Sequence, residues 1–561
     1  MRKNLRTPER ANAVTMDDNP TRDDRPNIVL ILADDMGFSD IGCFGSEIAT
    51  PNLDRLASSG LRFSQMYNYA RCCPSRASLM TGISPHRAGI GHMVKDLHVP
   101  GYRGFLNSNC VTVAEVLRDA GYQTLMSGKW HVGGEYDMQN PDAWSAGDAG
   151  HPVPTQRGFD QHFGTLIGAG SFFHPLTLFE NDHHITPDSP DFYYTDAIAD
   201  KAVEMVDNAS GKDKPFFLYT AFTAPHWPLH AFEEDIAKYE GKYRGGWDEL
   251  RTNRHEELRD SGVLESRWDI TPRDATAPAW KDAENIDWED LRMATYVAQI
   301  DRMDQGIGRI LDALEKNRVR DNTVVIFLSD NGGCAEFLAE DSNKPEPAHF
   351  DTPPIDGSTM RFGNVPGLRP GPGNTFMSYD LPWSNASNAP FRLYKHWVHE
   401  GGISTPFIIS WPNKIKEPGI SHSPAQLMDI TATCIDLAGA TYPSEFDGNE
   451  IAPLEGESFA RLLSGKKWQR EQPIIWEHEG NRAVRSGEWK LVSKFPGQWE
   501  LYNMTEDRTE LHNLVDGDAA RVASLARVYG DWAETSNVLP WPIGGDPRIP
   551  ASTTPNAHKI E

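Results

Sequence analysis

The chain has 561 residues, is 39% hydrophobic and 10% aromatic, and carries a formal net charge of −26. That apolar content supports a large globular core and excludes a disordered chain, and the acidic balance excludes partners held by phosphate neutralisation, so neither nucleic acid nor an anionic membrane surface is expected. An anionic substrate would need a local cluster of cations, or a metal, to overcome the overall charge.

In chain order, residues 1–26 form a polar tail with basic residues but no apolar run behind them. The tail therefore lacks the hydrophobic segment of a secretory leader, and no later stretch is apolar enough to span a bilayer. The chain as written is expected to be cytoplasmic, and periplasmic or secreted if a leader has been removed. "NIVLILADDMG" then reads as a buried strand ending in Asp34 and Asp35. "NYARCCPSRASLMTG" follows, with Cys72 and Cys73 adjacent. A disulfide between neighbours is strained, because one peptide step holds the Cα atoms closer than the usual bridge requires. Cys43, Cys110, Cys334 and Cys434 complete the cysteines, and no C-x-x-C spacing supports zinc or dithiol chemistry.

"TVAEVLRDAG" reads as a helix, and "YQTLMSGKWHVGG" as a strand running into Lys129 and His131. The pattern repeats: helix "TDAIADKAVEMVDNA", strand "PFFLYTAFTAPHWPLH" into His226, helix "EDLRMATYVAQIDRMDQGIGRILDALEKN", strand "TVVIFLSDNGG" into Asp330 and Asn331. Short apolar runs alternating with amphipathic helices predict an α/β fold, a large and mostly parallel sheet sandwiched by helices. The charged stretch 233–288 and the Pro/Gly-rich stretch 343–376 read as surface insertions. "SPAQLMDITATCIDLAGA" reads as one more helix of the sheet unit. "QPIIWEHEGNRAVRSGEWKLVSKFPGQWELYNM" alternates apolar and polar between turn signals, which predicts a small antiparallel meander. "TELHNLV" and "AARVASLARVYGDWAETS" read as closing helices. The expected division is a 1–26 tail, a 27–465 catalytic α/β domain, a 466–545 subdomain with an antiparallel sheet, and a 546–561 tail.

Polar clusters thus gather at the carboxyl ends of several strands, the edge where open α/β sheets bind ligands. Asp34, Asp35, Asp330 and Asn331 offer only oxygen donors, which suit Ca²⁺ or Mg²⁺ rather than zinc. Each pair alone is an ordinary turn sequence. Arg76, Lys129, His131, His226 and Lys395 supply positive or ionisable groups. Taken singly, the histidines read as structural and Lys395 as a solvated head on a helix face. No G-x-S-x-G elbow, H-E-x-x-H helix or P-loop is present. Together the residues fit hydrolysis of a small oxyanion ester.

"C-C-P-S-R-A-S-L-M-T-G" resembles the signature of the type I sulfatases, of the alkaline phosphatase superfamily. "ILADDMGFSDIGCFGS", "MSGKWHVG", "TAPHWPLHA", "FLSDNGG" and "NAPFRLYKHWVHEGGISTPFIISWP" are similar to sulfatase segments in the same order, as is "WKLVSKFPGQWELYNMTEDRTELHNL". Ile83 departs from the arginine many relatives carry there. The resemblance implies that Cys72, two residues before Pro74, is oxidised by a maturation enzyme to formylglycine (3-oxoalanine). It implies Ca²⁺, with Mg²⁺ second, on Asp34, Asp35, Asp330, Asn331 and modified Cys72. Of the two hydroxyls on the hydrated aldehyde, one attacks sulfur with help from Asp330. His131 deprotonates the other, which releases sulfate. Arg76 is expected to hold the nucleophile, Lys129 and Lys395 to bind sulfate, and His226, alone or with Lys395, to protonate the leaving oxygen.

Arg71, His174 and Glu336, with Glu479 and Arg482, are candidates for the leaving-group side. Aryl sulfates and sulfated carbohydrates are the expected substrates. The alternatives are a phosphonate monoester hydrolase or phosphatase on the same fold, and an inactive binder of sulfated glycans.

Overall fold

In the computed structural model, residues 23–137, 140–340, 354 and 356–545 are described. Most of both tails, and the part of the Pro/Gly-rich stretch from 343 to 353, lie outside them.

The strand Asn27–Ala33 sits at the centre of the main sheet, parallel to Phe216–Ala221 on one side and Thr323–Ser329 on the other. Gln123–Gly128 and Gln161–Thr165 continue the parallel order. On the far side Ser404–Ser410 runs antiparallel to both Thr323–Ser329 and Leu61–Tyr67. The sheet is therefore mixed but mostly parallel, as expected. Its side chains alternate between two cores: Ile28, Leu30 and Leu32 face one, while Val29, Ile31 and Ala33 face the other. Residues of Cys72–Thr81, Val113–Asp119 and Leu427–Leu437 fill the first. Tyr194–Ser210 and the 31-residue helix Ile286–Lys316 fill the second. Thr112 and Glu115 close a reciprocal cap on Val113–Asp119, which fixes where that helix starts.

Gly128 ends its strand at φ +121°, with space for a Cβ only 1.9 Å from the Ala221 carbonyl oxygen. Only glycine allows this approach, and it sets the direction in which Lys129 leaves the sheet.

The second sheet is the expected meander, Ile474–His478, Asn481–Ser486, Trp489–Ser493 and Glu500–Asn503, all antiparallel. Trp476, Ala483, Val492 and Tyr502 join the same core as Cys73 and Met80. Its other face packs Val484, Leu491 and Leu501 against Leu525 of helix Ala519–Thr535. A buried charge cluster crosses the junction: Lys490 Nζ lies 2.8 Å from both Glu400 and Glu510, and Arg508 lies 3.3 Å from Glu400.

Three expectations are corrected. The 233–288 stretch is no surface insertion: it forms helix Gly246–Asp260 and buries Trp247, Trp268 and Leu258 in the second core. Arg254 is buried and pairs with Asp40 at 2.6 Å and Glu47 at 2.9 Å. "TELHNLV" is not helical. The Asp507 carboxylate accepts from the Leu511 and His512 amides, and Asn513 Oδ1 from those of Leu501 and Val515, so side chains take the amides a helix would use. Lys395 is not on a helix face but in a turn, 4% exposed. Among the described residues no helix is long and apolar enough to cross a membrane.

Candidate active site

Parallel strand order brings the site together. Asp34 and Asp35 follow the central strand, Asp330 and Asn331 follow its neighbour, and Lys129 follows Gln123–Gly128 two strands away on the other side. Asp35 adopts φ +61°, which turns the chain sharply after Asp34. Cys72 opens helix Cys72–Thr81 behind an extended Arg71, and Arg76, four residues on, lies on the same helix face. His226 comes from the loop after Phe216–Ala221 and Lys395 from the turn ahead of Ser404–Ser410.

Acids and bases interlock at this edge. Arg76 donates to Asp330 Oδ2 through Nε at 2.9 Å and to the Lys129 carbonyl at 3.0 Å. Lys129 Nζ lies 2.5 Å from Asp34 Oδ2. Lys395 Nζ donates to Asp35 Oδ2 at 2.8 Å, and His226 Nε2 lies 3.2 Å from the same oxygen. Asn331 donates its amide to Asp35 Oδ1 at 2.7 Å. Ser329, which no sequence signal marked, ties the two acidic loops: its hydroxyl accepts from the Met36 amide and donates to the Asn331 carbonyl. Cys72, Cys73 and His131 form a second group whose donor atoms lie within 4.8 Å of one another. No disulfide joins the described cysteines.

Burial shapes the ionisation. It pushes Asp330 up to about 8, aided by the Asp34 charge and opposed by Arg76 and Lys129. It drives His131 and His226 down to about 4, so both rings are neutral near pH 7. Burial also opposes ionisation of Asp35, but the facing His226 and Lys395 hold its carboxyl below the usual range. The hydrogen bond from Cys73 lowers the Cys72 thiol well below its ordinary value; burial opposes, and neighbouring His131 and Lys129 help.

The donor set fits a hard cation. Asp34 Oδ1 and Asn331 Oδ1 are buried oxygens without a hydrogen-bond partner, and they flank the Asp35 and Asp330 carboxylates. Orphaned acceptors beside three carboxylates are oxygens with no donor, which an oxygen-ligated divalent ion would satisfy.

The rim is polar. Arg71 pairs with Glu336 at 3.2 Å, and Glu336 accepts from the Trp227 indole at 2.8 Å, a contact no motif signalled. His174 is half-buried in the loop after Gln161–Thr165, its amide donating to Ser171 Oγ. Glu479 sits at the turn after Ile474–His478, beside His92 and His396. Arg482 is not brought to the cluster: it stacks over Trp499, 4.2 Å from the ring centre, on the sheet face turned to Ala519–Thr535.

Comparison with known proteins follows the same outline. A family model described as Sulfatase matches residues 26–440, and one described as N-sulphoglucosamine sulphohydrolase, C-terminal, matches residues 391–527. The chain is 34% identical over 500 residues to "Uncharacterized sulfatase PB10D8.02c" of Schizosaccharomyces pombe, covering 83% of this chain and 85% of that protein. It is 33% identical over 472 residues to an arylsulfatase of Klebsiella aerogenes, covering 80% of this chain and 95% of that one. Among solved structures it is similar to Ps i-CgsB, with 25% identity, a TM-score of 0.65, and coverage of 92% of this chain and 94% of that one. That protein has also been solved in complex with k-i-k-neocarrahexaose.

Proposed function

The chain belongs to the sulfatase family and is a sulfuric ester hydrolase, and from that premise we propose that it cleaves sulfate monoesters of saccharides, and aryl sulfates, using Cys72 as 3-oxoalanine and a bound Ca²⁺. Asp34, Asp35, Asp330 and Asn331 would hold the cation, which supplies a fixed positive charge against the sulfate oxygens. Residue 72 as hydrated 3-oxoalanine supplies two oxygens on one carbon, one to attack sulfur and one to drive sulfate off.

The chain's own residues do the rest. Arg76, anchored on Asp330 and on the Lys129 carbonyl, fixes the first turn of the helix that presents residue 72. Neutral His131 beside that side chain is ready to take its proton. Lys129 and Lys395 set two ammonium groups on opposite flanks of the acidic loops, where they meet sulfate oxygens. Lys395 Nζ, 3.3 Å from His226 Nε2, gives its proton to that nitrogen, and Nε2 passes it to the leaving oxygen.

The observation that carries this reading is the pair of orphaned oxygens on Asp34 and Asn331 beside the C-x-P-S-R helix. The saccharide preference draws on the polar rim of Arg71, Glu336 and Trp227, and on the saccharide complex of Ps i-CgsB. A maturation enzyme that oxidises Cys72 is the implied transient partner. The test is sulfate release by protein coexpressed with such an enzyme, from a panel of defined sulfated saccharides, aryl sulfates and phosphonate esters. Release confined to one saccharide position is the expected result; turnover of phosphonates alone overturns the reading.

A further inference from the structure

Beside the rim residue Arg71, one side-chain cluster has no role in the chemistry above. The hairpin turn joining Ile474–His478 to Asn481–Ser486 places Glu479 and Gly480 at φ +51° and +80°, the twist of a tight two-residue hairpin. It sets Glu479 against three histidines from distant parts of the chain. His92 Nδ1 lies 3.2 Å from Glu479 Oε1, His478 Nε2 lies 3.7 Å from the same oxygen, and His396 Nδ1 lies 2.9 Å from Oε2. One donor atom each from His92, His478 and Glu479 falls within 4.8 Å of the others.

Contact with the Glu479 carboxylate accounts for His396 and His92, at 2.9 and 3.2 Å, but not for His478, which is fully buried with neither ring nitrogen hydrogen-bonded. Buried polar atoms without partners are rare and call for an explanation. An anion is a poor occupant, because the Glu479 carboxylate faces the same space. A cation is suited to it. Two imidazoles and one carboxylate are a zinc-type donor set, unlike the all-oxygen set at Asp34, Asp35, Asp330 and Asn331. Tetrahedral zinc with bonds near 2.0–2.1 Å holds its ligand atoms about 3.3 Å apart, and the separations of 3.2 and 3.7 Å bracket that value. His396 on the second carboxylate oxygen would orient Glu479, as outer hydrogen bonds orient metal ligands.

We propose that His92, His478 and Glu479 form a second metal site, of the zinc class, distinct from the oxygen-ligated site. It clamps the C-terminal sheet to the catalytic segment, since the His92 carbonyl lies 3.7 Å from Cys73 Sγ and His396 directly follows Lys395.

The experiment is a Zn²⁺ titration of the full chain carrying Cys72→Ala and Cys73→Ser, with Ca²⁺ in excess. These conditions remove the rival thiol cluster and keep the oxygen site occupied by its own ion. One zinc per chain is expected, with a tetrahedral, thiolate-free spectrum after Co²⁺ substitution. His478→Gln and Glu479→Gln should each weaken binding about 100-fold or more, and His396→Gln about 10- to 100-fold. No bound zinc, or binding undiminished in His478→Gln and Glu479→Gln, overturns the proposal. Should those variants not fold, diffraction at the zinc edge from crystals grown of the parent chain with zinc decides: a peak among the three side chains supports the site, and no peak, or one only elsewhere, overturns it.

Discussion

Nε2 of His226 faces the Lys395 ammonium at 3.3 Å while its Nδ1 donates to the Trp227 carbonyl at 2.6 Å. A carbonyl can only accept, so the proton of the neutral ring is fixed on Nδ1 and Nε2 is left with its lone pair toward the lysine. The two groups form a relay in which the lysine charge and the imidazole acceptor are already aligned.

From that relay follows the first expectation. His226→Ala should slow esters of poorly acidic alcohols by about 100- to 10,000-fold, the usual size of a general-acid contribution. Esters of acidic phenols, whose leaving oxygen needs little protonation, should slow far less. A series of aryl sulfates of graded phenol acidity reads this directly: the dependence of rate on leaving-group pKa should steepen in the variant, and an unchanged slope would remove His226 from the acid role.

The two cysteines should separate cleanly. Cys72→Ala is expected to abolish sulfate release. Cys73→Ser is expected to keep it and lose about 1 kcal/mol of stability, because Cys73 packs in the core with the Cys72 and Met93 sulfurs and the His92 carbonyl as weak partners. Peptide mass spectrometry of matured protein should show sulfur replaced by oxygen at position 72 alone. Equal loss of activity in both variants would contradict the assignment.

Chelation should unload the oxygen site and lower Tm. Each divalent ion bound at a hundredfold above its Kd adds about 2.7 kcal/mol to the folded state, and without it Asp34 Oδ1 and Asn331 Oδ1 are left buried with no partner. Calcium should restore both Tm and turnover. Asn331→Ala should lower calcium affinity while keeping the fold, measured by calorimetric titration.

How much of this was legible in the sequence depended on whether a residue acts near its own strand. Asp34, Asp35, Lys129 and Asp330 were readable because an apolar run followed at once by a polar pair marks a strand end, and parallel order gathers such ends on one edge. Arg76 was readable from its spacing to Cys72. The link between Trp227 and Glu336 was not, since 109 residues separate them. Nor was the gathering of His92, His396 and His478, which depends on where the small sheet docks. The 233–288 stretch misled because its charges suggested solvent, whereas Arg254 is itself buried and pairs with buried Asp40 and with Glu47 at the surface.

The charge cluster at the docking seam predicts acid sensitivity. Burial opposes ionisation of Glu400, but Lys490, Arg508 and Arg485 outweigh it and hold its carboxyl down to about 2, against an ordinary 4.5. Between those values the unfolded chain binds the proton more readily than the folded one, so this stabilisation is complete above pH 4.5 and is lost as pH falls toward 2. Glu400→Gln should flatten that part of the stability profile. It should also cost about 3–5 kcal/mol near neutrality, because Lys490 and Arg508 lose a buried partner. Urea melts between pH 3 and 7 measure both; a parallel profile in the variant would refute the assignment.

Burial of Cys72 at 2% exposure also dictates an order of events. The Trp476 indole donates to the Asn68 carbonyl at 2.8 Å, so the sheet made last in synthesis latches onto the turn just ahead of the helix that Cys72 begins. Once that latch shuts, no catalyst the size of a protein can reach the sulfur. If Cys72 is oxidised as proposed, the reaction is expected to run while the polypeptide is still open. The yield of converted chains would then reflect a race between folding and conversion.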